Sequence, residues 1–378
     1  MAIQKSVFTA IVSTKFVSIS RVGKQACRIR SGIHLALTIN HLPFILYHWK
    51  NIMKYITHTE IGDPATVLHI AEADSVPLSS GQARVSVLAA PIHPSNLLQI
   101  SGHYGVPPKL PAVPGSEGVG RVTEVASDVE GLAVGQTVLL AGYNTWQQEV
   151  VGPATSFIGL PEGADVQQLS MLIVNPITAL RLLDAIVDLK EGDWVVQNAA
   201  NSAVGGYLVQ LANSRGIKTI NIVRRQSAVQ GLKDLGADHV LVDGPDLVAE
   251  IATITGTESL SLAIDAVGGE SFPKLVAALS NGGTVVCYGL MSMQAPILPS
   301  SAVIFNDITV KGFWLSKWFE KASVVDKQQT FGEIIRLIAT GELTAKISQT
   351  FTLDQIKEAV TAATEGGRDG KVLLLPNG

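Results

Sequence analysis

The stretch that decides the fold runs from Trp194 to Gly206 and reads WVVQNAANSAVGG. Its largely apolar start, Trp194–Gln197, predicts a short buried strand, and the small residues after it predict a tight turn. A helix is predicted from Val204 through Ala212, ending near Gly216. A strand, a turn and a helix in this order predict the first half of a parallel β-α-β unit.

Downstream, the alternation of strands and helices continues to about residue 312. Further strands are predicted at Thr219–Val223, Val240–Val242, Leu262–Val267 and Thr284–Tyr288. Helices are predicted between them at Ser227–Leu235 and Phe272–Leu279. This order predicts a doubly wound parallel sheet with helices on both faces in residues 176–312.

The chain on either side of this region has a different pattern. Residues 53–175 contain short alternating runs such as Arg84–Leu88 and Gly120–Val125, separated by turns, which predict a small β-rich barrel or sandwich. In residues 313–378, one helix, Phe331–Thr340, and a final strand, Lys371–Leu375, are predicted. The sequence therefore predicts an α/β protein in which a β-rich domain accompanies a parallel-sheet domain.

Composition and charge exclude several classes of protein. The 378 residues fit two domains, and 47% hydrophobic residues are enough to build a large core rather than a disordered chain. Two cysteines cannot form a disulfide framework, and the sequence contains no run of about 18 apolar residues that would predict a membrane span. Residues 53–378 carry 21 basic and 32 acidic side chains, which argues against nucleic acid as a partner.

Residues 1–52 allow two explanations. They contain seven Lys and Arg, no Asp or Glu and five serines, a composition typical of a mitochondrial transit peptide. Alternatively, Met53 begins a strand-like run, Lys54–Glu60, as a natural N-terminus would, and residues 1–52 are upstream sequence from an over-long gene prediction. The second explanation is favoured and predicts a cytoplasmic protein; the first predicts a mitochondrial one.

The turn after Gln197 is an altered form of the dinucleotide-binding pattern G-x-G-x-x-G. Ala200 and Ser202 occupy the first two glycine positions, and Gly205 occupies the third. Small residues let the backbone approach a pyrophosphate, whose charge lies at the N-terminus of the helix. Because the turn joins a strand to a helix, cofactor binding is favoured over a tight turn without a ligand.

The end of the following strand predicts which dinucleotide binds. Arg224 and Arg225 stand where NAD-dependent enzymes usually place an Asp or Glu for the ribose 2′-hydroxyl. Guanidinium groups instead suit the 2′-phosphate of NADP(H). NADP(H) is therefore predicted, and two solvated arginines at a strand end are the alternative.

Together these residues resemble the medium-chain dehydrogenase/reductase superfamily and, within it, the zinc-free trans-2-enoyl thioester reductases. The most specific matches are IVNPITA at 173–179, residues 197–205, residues 221–225 and KGFWLSKW at 311–318. The resemblance implies a GroES-like substrate domain of residues 53–175, completed by residues 313–378, with a Rossmann domain at 176–312. It also implies NADPH-dependent reduction of enoyl-CoA or enoyl-acyl-carrier-protein, and a homodimer.

The zinc ligands of the superfamily's alcohol dehydrogenases are not matched. Pro94-Ser95-Asn96 stands where a Cys is usual, and Gly115-Ser116-Glu117 replaces a Gly-His-Glu turn. Without thiolates and a matched His, these positions cannot assemble a tetrahedral zinc site. The sequence therefore predicts no metal at these positions.

The resemblance implies that Tyr104, in the loop SGHYG at residues 101–105, is the catalytic residue. In the resembled reductases, a Tyr in a Gly-x-Tyr-Gly loop donates a proton. Hydride addition to the β-carbon leaves negative charge on the thioester oxygen, and the α-carbon then needs a proton. A phenol is protonated at neutral pH and can donate one. A loop tyrosine that only packs against its domain is the alternative.

The resemblance also implies a set of cofactor-binding residues. Asn175 is implied to lie near the nicotinamide, with a helix N-cap as the alternative, and Lys371 is implied to reach the cofactor, with a solvated lysine as the alternative. Phe313–Leu315 would back the nicotinamide, and plain core is the alternative. The implied cofactor residues are Asn175, Asn201, Ser202, Ala203, Val204, Gly205, Arg224, Arg225, Tyr288, Gly289, Leu290, Met291, Phe313, Trp314, Leu315 and Lys371.

Two rival functions remain open. A zinc-free quinone reductase of the same superfamily would not require Tyr104, because quinone oxygens take up protons readily. A dinucleotide-sensing protein without turnover would bind NADPH, but no electrophile tested would oxidise the bound cofactor.

Overall fold

The computed structural model describes residues 52–378. Its strands, in chain order, are β1 Ile52–Thr57, β2 His69–Asp74, β3 Gln82–Pro91, β4 Val119–Val125, β5 Thr137–Leu139, β6 Glu149–Pro153, β7 Ile158–Gly159, β8 Trp194–Gln197, β9 Lys218–Val223, β10 His239–Val242, β11 Leu260–Asp265, β12 Thr284–Cys287, β13 Thr309–Gly312, β14 Ile347–Phe351 and β15 Lys371–Leu374. Its α-helices are α1 Pro64–Val67, α2 Pro94–Ile100, α3 Val166–Leu169, α4 Val174–Asp184, α5 Ala203–Ser214, α6 Val229–Asp234, α7 Leu247–Thr255, α8 Ser271–Ala278, α9 Ser300–Phe305, α10 Leu315–Lys321, α11 Val324–Ala339 and α12 Ile356–Thr364.

Six strands form a parallel sheet in the order β10-β9-β8-β11-β12-β13. The strand order reverses between β8 and β11, and in such sheets ligands bind outside the carboxyl ends of the strands at this point. The turn that follows β8 therefore lies at the place where a dinucleotide is expected.

The central strands β8, β9 and β11 are buried on both faces, which explains their largely apolar runs. On β8, Val195 packs into one core cluster with residues of α4 and α5, whereas Trp194 and Val196 pack into a second cluster. The second cluster contains Phe272 of α8. Apolar residues that alternate between two faces in this way fix the strand between its helices.

A seven-stranded sheet contains β3 to β7 together with the last two strands of the chain. Its order is β14-β15-β3-β4-β5-β7, and β6 also pairs with β3. β15 runs antiparallel to β3, with Leu373 opposite Pro91. This pairing brings Lys371, at the start of β15, close to the segment that follows β3. A separate antiparallel pair is formed by β1 and β2.

The predicted α/β fold, with a β-rich GroES-like part and a Rossmann sheet, is confirmed, whereas several element predictions are wrong. The tail at 313–378 contains α10, α11 and α12, not one helix. α11 begins seven residues before the predicted Phe331, because Ser323 and Asp326 form a capping box there. The first turn of α11 exposes Val324 and Val325, so an apolar helix face could not be recognised there.

Smaller differences concern the start of the chain and one missed helix. The first strand is Ile52–Thr57, not Lys54–Glu60, and α7, Leu247–Thr255, was not among the predicted helices. The two explanations of residues 1–52 concern, apart from Ile52, a segment outside the described residues. Within residues 52–378, no helix is long and apolar enough to cross a membrane.

Candidate active site

The turn between β8 and α5 presents backbone amides at the end of the sheet. Ala199 adopts a positive φ of 46°, and the amide of Ala200 donates to the carbonyl of Ile222 on β9. Ser202 is the N-cap of α5, and its hydroxyl accepts a hydrogen bond of 3.2 Å from the Gly205 amide. The preceding amides of the first turn have no partner within the helix, so they can bind an anion.

Gly205 is required by close packing within this turn. A Cβ placed on it would lie 2.8 Å from the Cα of Ala200 and even closer to the Ala200 carbonyl group. The first two positions of the pattern hold Ala200 and Ser202 instead of glycine. The altered glycine pattern therefore keeps the one glycine that helix-against-strand packing demands.

Substitution of Gly205 by Ala is expected to lower the midpoint of thermal unfolding and weaken NADPH binding, because overpacking typically costs about 1–3 kcal/mol. The matched control is Gly231→Ala at an exposed position of helix α6, where a Cβ meets nothing within 4 Å. The Gly231→Ala substitution should raise the free energy of unfolding by about 0.5–1 kcal/mol, because Ala is a better helix former than Gly. Calorimetry measures both, and equal shifts for the two variants would contradict the packing argument.

Arg224 and Arg225 follow β9 and are both exposed. Within residues 52–378, neither guanidinium is paired with a carboxylate. Arg225 lies against Gly367, where a side chain would collide with the guanidinium. Two unpaired guanidinium groups at the carboxyl end of β9 fit a phosphate group on the cofactor ribose.

Residues after β12 contribute to the same edge of the sheet. The hydroxyl of Tyr288 is hydrogen-bonded to Ser202, and burial raises the pKa of this tyrosine above its usual value. A Cβ on Gly289 would lie 2.6 Å from the carbonyl oxygen of Ala266. Leu290 and Met291 are 53% and 56% exposed, so they are available to contact a ligand.

A buried pair at the strand ends was not predicted. The side-chain amide of Asn198 donates to Asp265 at 2.6 Å, and its oxygen accepts from the Ala266 amide at 2.7 Å. Asp265 also accepts from the amides of Val267 and Gly268. These bonds join β8 to β11 where the strand order reverses. The one available signal was an Asp within an otherwise apolar strand.

Tyr104 and Trp314 form a pair. The indole Nε1–H of Trp314 donates to the Tyr104 hydroxyl at 2.8 Å, and the two rings meet edge to face with centroids 5.8 Å apart. Because the Tyr104 oxygen accepts this bond, its own proton remains free for another acceptor. Trp314 follows β13, so the phenol lies near the same carboxyl edge as Tyr288.

The neighbours of Trp314 behave differently. Phe313 and Leu315 are partly buried against the core cluster that includes α4 and α5, as the plain-core alternative expects. Trp314 is not part of that cluster and contacts Tyr104 instead. Phe313 and Leu315 therefore pack against the core, whereas Trp314 belongs to the candidate site.

Asn175 is not an N-cap, so that alternative is wrong. It is the second residue of α4, whose N-cap is Ile173, without a side-chain cap. The carboxylate of Glu117 instead accepts from the amides of Ile173 at 2.6 Å and Val174 at 3.2 Å. A glutamate from the β-rich part thus caps this helix, and the side chain of Asn175 lies beside His93 instead of capping it.

Lys371 is not solvated, so that alternative is also wrong. It is 4% exposed, and its ammonium group donates to the carbonyl of Ile92 at 2.8 Å and to Nδ1 of His93 at 3.1 Å. Burial lowers its pKa to about 7; the charge of Arg368 adds to this effect and Glu117 opposes it. β15 places the lysine inside because it pairs with β3 next to Ile92.

The stretches predicted to replace the superfamily's zinc ligands include Asn96 and Ser116, whose side chains carry no charge. The amide of Asn96 donates to the Ser116 hydroxyl at 3.3 Å, and the Asn96 oxygen accepts from the backbone of His93. Within residues 52–378, no group of three or more His, Cys, Asp or Glu side chains could hold a metal ion.

The described residues fit a dinucleotide. The amides at the N-terminus of α5 and the unpaired Arg224 and Arg225 lie at the carboxyl ends of β8 and β9, where they can receive a pyrophosphate and a phosphate. Asn201, Ala203 and Val204 belong to the same turn. Fold and site together define a nucleotide-dependent oxidoreductase of the medium-chain dehydrogenase/reductase superfamily.

Family models match two parts of the chain. One, described as "Alcohol dehydrogenase GroES-like domain", matches residues 79–164, and another, described as "Zinc-binding dehydrogenase", matches residues 203–340. A relative from Rattus norvegicus, named enoyl-acyl-carrier-protein reductase, mitochondrial, is 39% identical over 82% of this chain and 85% of its own. The chain belongs to the enoyl thioester reductase family of this superfamily.

Solved structures agree with this membership. The complex of Etr1p with NADP and crotonyl-CoA superposes with a TM-score of 0.79 at 27% identity, covering 86% of this chain and 99% of that chain. The mitochondrial 2-enoyl thioester reductase Etr1p/Etr2p heterodimer from Candida tropicalis gives 0.78 at 28% identity with the same coverage. A candidate NADPH:quinone reductase from Bacillus thuringiensis gives 0.79 at 29% identity, again with the same coverage.

Proposed function

We propose that the protein is an NADPH-dependent enoyl thioester reductase that saturates the 2,3 double bond of enoyl-CoA or enoyl-acyl-carrier-protein. The observation that carries this proposal is the Tyr104 hydroxyl, which is held by Trp314 at the carboxyl edge of the sheet with its proton free. Family membership supports the same reaction, which is the final reduction of a fatty-acyl elongation cycle.

The chain's own residues would bind, orient and protonate. NADPH, when bound, supplies the hydride that adds to the β-carbon of the substrate. The α5 turn and Arg224 and Arg225 would hold the phosphates, and Asn175, Tyr288 and Lys371 would contact the cofactor. Tyr104 would donate its proton to the α-carbon, directly or through water, while Trp314 fixes the phenol oxygen.

The remaining predicted cofactor contacts are part of this proposal. Asn201, Ser202, Ala203, Val204 and Gly205 would surround the pyrophosphate. Gly289, Leu290, Met291 and Trp314 would border the nicotinamide and the acyl chain, with Phe313 and Leu315 packed behind them. We also propose the domain limits 53–175 with 313–378 for the substrate domain, and 176–312 for the cofactor domain.

The test is NADPH oxidation by purified residues 53–378 on addition of crotonyl-CoA, beside runs with NADH and with a simple quinone. Rapid oxidation with crotonyl-CoA and NADPH, and slow oxidation with NADH, is expected. Turnover of the quinone alone would favour a quinone reductase. This is the second candidate, because the Bacillus thuringiensis structure described as an NADPH:quinone reductase is similar to this chain. Binding of NADPH without any turnover would favour a sensor.

We further propose that the protein is a homodimer. β13 is the edge strand of the parallel sheet and all four of its residues are exposed. Ile304 and Phe305, at the end of the preceding helix α9, are 68% and 78% exposed. An open strand edge beside exposed apolar side chains is a surface that a second copy can cover.

The variant Phe305→Glu is expected to convert a dimer of residues 53–378 largely into monomer, because it places a charge on this apolar surface. Light scattering after size-exclusion chromatography measures the mass. Val134→Glu is the matched control, because Val134 is 61% exposed on the other part of the chain. A wild-type monomer at high concentration, or a dimer that survives Phe305→Glu, would refute this interface.

The location of the protein depends on residues 1–52. The mitochondrial names of the relatives favour a transit peptide over the cytoplasmic alternative. Fusion of residues 1–52 to a fluorescent protein tests this proposal. Mitochondrial fluorescence is expected, and diffuse fluorescence would favour the cytoplasmic alternative.

A further inference from the structure

A buried cluster of polar side chains lies where the starts of α2, β4 and β15 come together. It consists of His93, Glu117 and Lys371. His93, the N-cap of α2, is 1% exposed, and Glu117, before β4, is 0% exposed. Nε2 of His93 lies 2.6 Å from Oε1 of Glu117, and Nδ1 lies 3.1 Å from the Lys371 ammonium group. One imidazole therefore separates a buried acid from a buried base.

The other partners of Glu117 determine the direction of these hydrogen bonds. Its carboxylate already accepts from the amides of Ile173 and Val174, so it acts as an acceptor toward His93 as well. Nε2 of His93 therefore carries the proton, and Nδ1 accepts from Lys371. Burial lowers the pKa of His93, and the charge of Lys371 lowers it further, so the ring stays neutral.

The same ring reaches the helix that carries Asn175. The side chain of Asn175 lies beside His93, and Glu117 holds the first amides of α4. Lys371 approaches the ring from β15, at the other end of the chain. Two residues proposed to contact the cofactor thus depend on one side chain that is itself proposed for no such contact.

We propose that His93 is a positioning residue of the reductase: through its two ring nitrogens it connects Lys371 to Glu117 and holds Lys371 and Asn175 in their working arrangement. This inference rests on the function proposed above. Its chemical basis is that only a ring with an acceptor at Nδ1 and a donor at Nε2 satisfies both neighbours. A buried polar group that is left without a hydrogen-bond partner destabilises the folded arrangement.

The arrangement also has an electrostatic consequence. The charged or titratable groups around Lys371 are Glu117, Arg368 and His93. Because burial places the pKa of Lys371 at about 7, its ammonium form is present below that pH and is lost above it. NADPH is an anion, so its affinity should fall as the pH rises through this range.

The test uses two substitutions, each of which keeps one of the two hydrogen-bonding functions of the imidazole ring. In His93→Asn, the amide oxygen can replace Nδ1 as acceptor for Lys371, but nothing reaches Glu117. In His93→Gln, the amide nitrogen can replace Nε2 as donor to Glu117, but Lys371 loses its acceptor. We expect both variants of residues 53–378 to lose about tenfold or more in kcat/KM. His69→Asn, at an exposed position on β2, is the matched control and should change nothing.

The decisive readout is NADPH binding, followed by the cofactor's fluorescence between pH 6 and pH 9 without substrate. In His93→Gln, the loss of affinity with rising pH should occur at a lower pH than in the wild type, because the Lys371 ammonium group loses a hydrogen-bond acceptor, whereas His93→Asn should keep a profile close to that of the wild type. Wild-type affinity and an unchanged pH profile in both folded variants would overturn the proposal. So would a reduced melting temperature as the only effect.

Failure of the two proposals can be told apart. A wild-type protein that binds NADPH but does not reduce crotonyl-CoA refutes the proposed reaction, and the binding profiles of the variants still decide the role of His93. A wild-type protein that does not bind NADPH refutes both.

Discussion

Replacement of Tyr104 by Phe is expected to lower kcat for crotonyl-CoA by at least about 100-fold, while NADPH affinity stays unchanged. Positioned proton donors typically contribute about 10²–10⁴-fold, and the phenol is the group whose proton is free at this edge of the sheet. The substitution also leaves the Trp314 indole N–H without its acceptor, so a modest loss of stability should accompany the loss of rate.

Three comparisons make this result interpretable. Trp314→Phe keeps the phenol but removes the bond that orients it, and about a tenfold loss of kcat is expected. Tyr143→Phe removes a hydroxyl elsewhere, which bonds to Ser156, and should leave turnover unchanged. With a quinone as electron acceptor, Tyr104→Phe should retain its activity.

The opposite outcome has a clear meaning. If Tyr104→Phe reduces crotonyl-CoA at the wild-type rate, the phenol only packs against Trp314. Water would then supply the proton, and the quinone reductase would become the better functional assignment.

Replacement of Arg224 and Arg225 by Ala together is expected to raise the KM for NADPH about 10²- to 10³-fold and to leave the KM for NADH nearly unchanged. Hydrogen bonds to charged groups contribute about 1.5–3 kcal/mol each, and only NADPH carries the 2′-phosphate. Both guanidinium groups are exposed and, within the described residues, free of carboxylate partners, so no internal ion pair is lost.

Steady-state kinetics with each cofactor measure the effect. The single variants show how much each arginine contributes to the increase of KM for NADPH. Arg225→Ala also removes a contact with the segment around Gly367. Arg121→Ala, at an exposed position on β4, is the control for a general change of charge. Equal increases of KM for NADPH and NADH would place the arginines on the shared pyrophosphate instead.

Much of the fold could be predicted because its signals are local. Trp194–Gly206 predicts a strand, a turn and a helix from the apolar run and the small residues that follow it. Arg224 and Arg225 predict the cofactor from their position directly after a strand. α11 shows the limit: its capped first turn exposes Val324 and Val325, so the apolar period begins only later.

The candidate site was predicted less completely, and its alternatives could not be resolved. Lys371 could be a cofactor contact or a solvated lysine, because its own neighbours in sequence are compatible with both. The structure buries it, since β15 pairs with β3 and places it beside Ile92 and His93. His93 and Glu117 received no role at all, because their partners come from distant segments.

The sequence alone therefore predicted the parallel-sheet architecture, which the structure confirms, together with the turn proposed to receive the pyrophosphate and the arginines proposed to select NADPH. Each depends on residues adjacent in the chain, for which periodicity and turn chemistry are sufficient. Only the tertiary structure decided that Trp314 donates to Tyr104 across 210 residues and that His93 stands between Glu117 and Lys371. The physical reason is that burial and hydrogen-bond partners are set by strand pairing and packing between distant segments, which no local pattern records.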